Sequence, residues 1–317
     1  MSVPNATLNA SLETDRDVVE LEESNRRREQ RARWGRVITY VVLSLSSLIM
    51  LFPFLWMISN SLAPTSDLFS YPPKFIPSDP QWGNYSEAFA AVGLGRALWN
   101  SLLIAAITTA TVLVFDSLAG YAFAKMNFPG RTTAFITVLV TAMIPIQVTM
   151  IPLFIMFRKM PFAGGNNALG EGGTGLINTY PALILPFVVT TFGTYFMREA
   201  FRMVPSTLLD AARVDGHSEW TIFWRVYMPL VKPSLAAIGL FHFTFVWNEF
   251  LIPLIMTNEA EMRTVQVALS AFKGQYFDDW NILMAATAVA ALPPFLVFLF
   301  GQRQFVKGMA MTGVRGG

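Results

Sequence analysis

Residues 208–233 read LLDAARVDGHSEWTIFWRVYMPLVKP, a polar stretch between two apolar ones. Within it Asp210-Ala211-Ala212 is followed after three residues by Gly216, and after nine more by Val226-Tyr227-Met228-Pro229. These residue types suit docking better than bond-breaking chemistry. Ala211 and Ala212 would let a partner's backbone come close, and Gly216 supplies a stop that a residue with a Cβ resists. Trp220, Phe223 and Trp224 recur at helical spacing and predict one apolar face. The stretch therefore reads as a helix, a glycine break, and an amphipathic helix ending where the chain meets lipid. A helix lying on the bilayer surface is the plainer reading of the same pattern. A connection this long ordinarily carries structure or function.

Other chemistries are poorly represented. The chain has no cysteine and only two histidines, His217 and His242, so thiol chemistry and an all-histidine metal site are excluded. No Gly-Lys-Ser/Thr phosphate loop and no HExxH sequence occurs. The glycine-rich segment 161–175 follows no strand, so it is not a dinucleotide fingerprint. No catalytic residue, metal ligand or cofactor is assigned to this chain.

A second polar group stands in apolar surroundings at Trp247-Asn248-Glu249. A charge at mid-bilayer costs about 2.5–3.5 kcal/mol on the insertion scale, which the neighbouring apolar residues offset. Intramembrane acids face a bundle interior or water. Asn248 and Glu249 could then hydrogen-bond a polar solute while Trp247 offers a stacking face, a surface that suits sugars. The alternative is that Glu249 simply reaches the interface. Gln147, Asn178, Tyr180 and Asn100 are further candidates, each with interhelical hydrogen bonding as its alternative. Asp116 is expected to be interfacial or paired with Lys125.

What must position these residues is a membrane bundle. Of the 317 residues 53% are hydrophobic and only 14% charged, against about 25% in soluble domains. Six stretches are long and apolar enough to span: about 37–57, 98–123, 132–157, 176–197, 233–256 and 281–302. Prolines inside several of them (Pro145, Pro152, Pro181, Pro186, Pro253, Pro293 and Pro294) predict kinks. Residues 1–36 form a charged tail, 37–302 the bundle with its loop at about 199–232, and 303–317 a second tail. No signal peptide is apparent, so the first span is expected to remain as an anchor. The proline-rich segment after it should be extended and ordered, with Asn84 or Ser86 capping a helix beyond it.

Lys and Arg are distributed 17 to one side and six to the other. The positive-inside rule then places both termini and the 199–232 loop in the cytoplasm. A net charge of +2 gives no reason to expect nucleic acid as a partner.

The spacing in 208–233 resembles the EAA motif of importer permeases of the ATP-binding-cassette class, EAA-x3-G-x9-I-x-L-P, with Asp for Glu, Val for Ile and Met for Leu. SLAGYAFAKMNFPGR (117–131), MIPIQVTMIPLF (143–154), GLINTYPALILP (175–186), FVWNEFLIPLI (245–255) and QRQFVKGMAMTGVRG (302–316) are similar to the carbohydrate branch of that family, in particular its maltose-type second permease. The resemblance implies an all-α polytopic fold of six transmembrane helices, MetI-like, in a prokaryotic cytoplasmic membrane. It implies a second homologous permease, two ATPase subunits that hold the ATP and Mg, an extracytoplasmic solute-binding protein, and a sugar substrate. By motif match Asp210, Ala211, Ala212, Asp215, Gly216 and Pro229 would dock the ATPase. The segment 257–280 would probe the binding protein, and the C-terminal tail would also touch the ATPases. The same fold could carry a peptide, polyamine or phosphate. An ion-coupled secondary transporter would need an intramembrane carboxylate, for which Glu249 is weak support, and a repeat that the chain lacks.

Overall fold

The structure is a computed structural model that describes the backbone of residues 5–275 and 279–313 and the side chains of 33–272 and 279–302. Among the described residues every regular element is helical. The first helix, α1 (Asn5–Ser61), is a unit of its own up to Ser59. It is helical from Asn5, well before the apolar stretch begins, and its segment Arg33–Ser61 is long and apolar enough to cross a membrane. Apolar side chains such as Leu48, Ile49 and Phe52 are exposed along it, as lipid contact requires.

Residues 60–317 form the second unit. It opens on the helical turn α2 (Thr65–Leu68) and a non-helical strap that ends at α3 (Gly83–Ala91). Pro72, Pro73, Pro77 and Pro80 keep the strap out of helix. Asp67 organises it by accepting from Lys74 Nζ at 2.6 Å, Ser78 Oγ at 2.5 Å and Ser78 N at 3.0 Å. Donation from Lys74, then from Ser78, holds its carboxyl down at about 2. Neither expected cap is one. Asn84 lies inside α3 and donates to Ser61 O and Ala63 O, while Ser86 Oγ bonds Gly83 O.

The central helix of this unit is α4 (Leu94–Lys125), about 48 Å at 1.5 Å per residue. It starts after left-handed Gly93 (φ 60°) and stops at extended Met126, shortly before Pro129. Next come α5 (Arg131–Thr141) and α6 (Ile146–Arg158), set at 95° to each other. Pro145 bars Ile144 from helix and forces this break, which is far sharper than a kink. Then α7 (Tyr180–Ile184), with a 3-10 turn to Phe187, meets α8 (Thr191–Met203) at 41°. The short helices α9 (Thr207–Val214), α10 (Glu219–Ile222) and α11 (Met228–Leu230) make the loop. The stretch Glu219–Leu230 meets α12 (Lys232–Trp247) at 79°. The chain closes with α13 (Leu251–Met256), α14 (Val265–Gln275) and α15 (Trp280–Gly313).

Among the described residues three helices are long and apolar enough to span, or up to six if each bent pair counts as one. The expected fifth span, 233–256, is not continuous. Its helix ends at Trp247 after 16 residues and restarts at Leu251.

Two apolar cores sit at opposite ends of α4. One gathers Leu94, Phe157, Leu183, Trp247, Met256 and Phe272. The other gathers Tyr121, Met197, Phe201, Phe223 and Tyr227 beside the loop, and is called here the loop end. Between them α4 and α8 lie backbone to backbone. A Cβ on Gly120 would stand 2.7 Å from Arg198 N and 2.8 Å from Met197 Cβ, closer than real contacts allow.

Candidate docking loop and solute-path residues

The loop turns at Gly216, whose φ is +79°. Gly216 N donates to Arg213 O at 3.0 Å and His217 N to Ala212 O at 3.1 Å, closing the C-terminus of α9. No atom lies within 4 Å of where a Cβ would be, so glycine is needed for its backbone alone. Ser218 then caps α10 by accepting from Thr221 N.

Asp210, Ala211, Asp215, Gly216 and Pro229 are exposed, with Val214 at 88% and Trp220 at 62%. Ala212 is not, and this corrects the expectation that both alanines face a partner. Its spacing of three from Leu209 puts both on the inner face of α9, where they are buried. The expected aromatic stripe also divides. Trp220 and Trp224 form an exposed edge-on pair at 5.8 Å, while Phe223 is buried. Phe223 and Trp224 are adjacent and so point about 100° apart; from Phe223 to Tyr227 the chain makes a π-helical turn, where Met228 N bonds Phe223 O. Phe223 and Tyr227, four residues apart, share the inward side.

Under the loop Tyr121 is buried at 4% exposure, edge-on to Phe223 at 5.3 Å, Tyr227 at 5.4 Å and Phe201 at 5.7 Å. Its hydroxyl donates to Glu219 Oε2 at 2.9 Å. Arg213 meets the other oxygen of that carboxylate from Nε and Nη2, each at 2.7 Å. Sequence reasoning missed this triad because Tyr121 is 98 residues from Glu219.

The solute-path candidates divide as well. Trp247 presents no free face: it is 1% exposed, stacks on Phe243 and donates Nε1 to Ala290 O at 3.1 Å. Glu249 Oε1 accepts from Leu251 N at 2.9 Å and Ile252 N at 3.2 Å, which caps α13. That local bond, not a proton path, explains a carboxylate here. Asn178, at φ 60°, uses its whole amide. It donates to Asn258 and Glu259, and accepts from the backbone N–H of both. Tyr180 donates to Asn100 Oδ1 at 2.8 Å, and Asn100 Nδ2 holds Glu261 O and Arg263 O. Asn248 remains exposed, donating to Thr244 O and accepting from Gln266. Gln147 is exposed just past the 95° corner.

Asp116 is neither interfacial nor paired with Lys125. It is fully buried and accepts from Thr190 N, Thr190 Oγ1 at 2.7 Å and Thr194 Oγ1 at 3.2 Å. Lys125 instead donates to Val204 O at 2.5 Å. Asp116 thus pins α4 to the start of α8. His242, also unremarked in the sequence, borders a cavity of about 420 Å³ with Thr190, Phe192, Ile238, Phe241 and Phe245. Its Nε2 is buried without a hydrogen bond. One imidazole among apolar walls cannot satisfy the hydroxyls of a sugar. The side chains of the C-terminal tail 303–317, expected to touch ATPases, lie outside the described residues, as do those of 273–278 in the segment expected to probe a binding protein.

Broken, proline-interrupted helices around a protruding helix–glycine–helix loop define a multi-pass transport fold. The chain belongs to the family of binding-protein-dependent transport system inner membrane components, matching it over residues 116–311. It is a permease of that class, a bacterial inner-membrane protein. It is similar to the lactose transport system permease protein LacG of Rhizobium radiobacter, 34% identical over 88% of this chain and 96% of that one. It is similar to the arabinooligosaccharides transport system permease protein AraQ of Bacillus subtilis, 33% identical over 89% and 96%. The sn-glycerol-3-phosphate transport system permease protein UgpE of Agrobacterium fabrum is 29% identical over 88% and 97%. Among solved structures, a chain of a bacterial ABC transporter involved in alginate import superposes with a TM-score of 0.70 at 22% identity, over 86% of this chain and 97% of that one.

Proposed function

We propose that this permease forms half of the translocation pathway of an ATP-driven importer for a sugar or oligosaccharide. Its loop docks a separate ATPase, which holds ATP and Mg, and both termini and the loop lie in the cytoplasm. A second homologous permease, two ATPase subunits and an external solute-binding protein complete the assembly. The carrying observation is the loop tip, where Val214 and Trp220 stand exposed beside Asp210, Ala211, Asp215 and Gly216. An exposed tryptophan on a rigid, polar-rimmed protrusion is the anchor that protein interfaces use.

The sugar reading rests on relatives named for lactose and arabinooligosaccharides. A phosphorylated polyol is the second reading, favoured by the glycerol-3-phosphate relative. Gln147 and Asn248 are the polar groups proposed to meet solute, with the second oxygen of Glu249.

Trp220 is mostly exposed and its ring meets the loop core at Phe223, so Trp220→Ala should leave the fold in place. We expect ATPase retained on the tagged chain to fall about 30-fold, as for a hot spot of about 2 kcal/mol. Retention and uptake both unchanged would remove the docking reading. Uptake of labelled lactose, arabinooligosaccharide and glycerol-3-phosphate into cells separates the solute classes.

A further inference from the structure

We propose that Glu219 is the positioning residue that ties the docking loop to the membrane bundle, acting through Tyr121. This rests on the docking reading above and adds the path by which loop motion reaches the spans. One carboxylate joins two other elements: Arg213 near the end of α9 donates from Nε with Nη2 in ion-pair contact, and the Tyr121 hydroxyl donates from α4. Glu219 itself opens α10, on the far side of the Gly216 turn. Both arms of the turn are thus fastened at one point, and that point is rooted in a helix of about 48 Å.

The Arg213 and Glu219 side chains are 45% and 41% exposed, so their pair adds little to stability. Its value is geometric, because bonds to both oxygens, from Arg213 on one and Tyr121 on the other, fix the direction of the carboxylate. The Tyr121 ring has no freedom to yield, wedged as it is among Phe201, Phe223 and Tyr227. Further along α4, Gly120 and Asp116 lock the helix to α8, whose start is the 41° break. A displacement of the loop therefore moves α4 and α8 together instead of dissipating in a flexible connection. Without the Tyr121–Glu219 bond, Lys125 would still hold Val204 at the base of the loop, but beyond that point the Gly216 turn would meet α4 through apolar contacts that permit sliding.

The test uses the intact transporter, purified through a tag on this chain with its native ATPase and placed in lipid vesicles. The chain holds no cysteine, so a single thiol at Gln147→Cys or Asn248→Cys reports the spans alone. Its labelling rate by a membrane-impermeant maleimide is compared with and without ATP and vanadate. Tyr121→Phe keeps the ring and removes one bond to a charged acceptor. It should leave ATPase retention unchanged and shrink the ATP-dependent change in labelling about tenfold. Glu219→Gln should do the same, and the double variant should be no worse than either alone. A Tyr121→Phe transporter with an undiminished ATP response overturns the relay while leaving docking intact. So does loss of the ATPase from that variant, or additive effects in the double one. A parent chain that retains no ATPase overturns both readings; one that retains it but in which neither thiol responds to ATP and vanadate overturns the relay alone.

Discussion

The two ends of α4 are held by different physics. At the end away from the loop, amide side chains grip backbone: Asn84 holds Ser61 O and Ala63 O, Asn100 holds Glu261 O and Arg263 O, and Asn178 clasps residues 258–259. At the loop end, aromatic rings meet edge-on, and one carboxylate joins the loop to the bundle. Directed amide bonds fix irregular backbone, since each buried carbonyl left unpaired is costly. Ring contacts fix shape and are less directional, which suits an end that must move as a body. The difference locates rigidity of connection at one end and transmission at the other.

Substitutions at the amide end should register as lost stability with docking intact. Asn100→Leu strands two carbonyls and the Tyr180 hydroxyl. We expect a loss of about 3–5 kcal/mol, read by thermal unfolding in detergent, with ATPase still retained on whatever folds. A shift of less than about 1 kcal/mol would erase the contrast between the ends.

Between the ends, Gly193→Ala drives a methyl into the Asp116 carboxylate and to 2.6 Å from Thr190 Oγ1. A loss of about 2–3 kcal/mol should follow. Helix propensity favours Ala over Gly, so a loss must come from the clash, and an unchanged unfolding midpoint would show that the two helices separate at no cost.

The loop should behave in the opposite sense. Gly216→Val meets open space, so only its φ of +79° is strained, at about 1–2 kcal/mol. Unfolding should move little, while uptake and ATPase retention fall by tenfold or more, because the turn sets the angle between α9 and α10. Equal damage to stability and docking would mean that the two ends are not separable.

The smallest effect is expected in the strap. The folded carboxyl of Asp67, at about 2, lies below its unfolded value, so its stabilisation is complete above about pH 5. It is lost as pH falls through about 4 toward 2. Protease cleavage within 64–82 of vesicle-embedded protein should rise over that window, and Asp67→Asn should flatten the dependence. An acid-independent cleavage rate in the parent chain would show that the clasp does not hold the strap.

Much of this was legible in the chain. Apolar run length gave the candidate spans, because backbone hydrogen bonding in lipid leaves few alternatives; Pro145 gave the break in the third, whereas Pro293 and Pro294 lie inside the continuous α15 and the fifth breaks before Pro253. The Gly216 turn was legible for the same local reason. The burial of Ala212, Phe223 and Trp247 was not, nor was the capping bond of Glu249. Periodicity tells which residues share a face, not which neighbour that face meets.

Local rules, then, were enough to determine that this chain is a broken-helix membrane protein with a glycine-turned protrusion, since helix length, proline and left-handed backbone act within a few residues. Only the tertiary structure decided which polar groups are committed and to what. Asp116 reaches Thr190 across 74 positions, Tyr121 reaches Glu219 across 98, and Asn100 reaches Arg263 across 163. Bonds over such distances depend on how the helices pack, which no local pattern encodes.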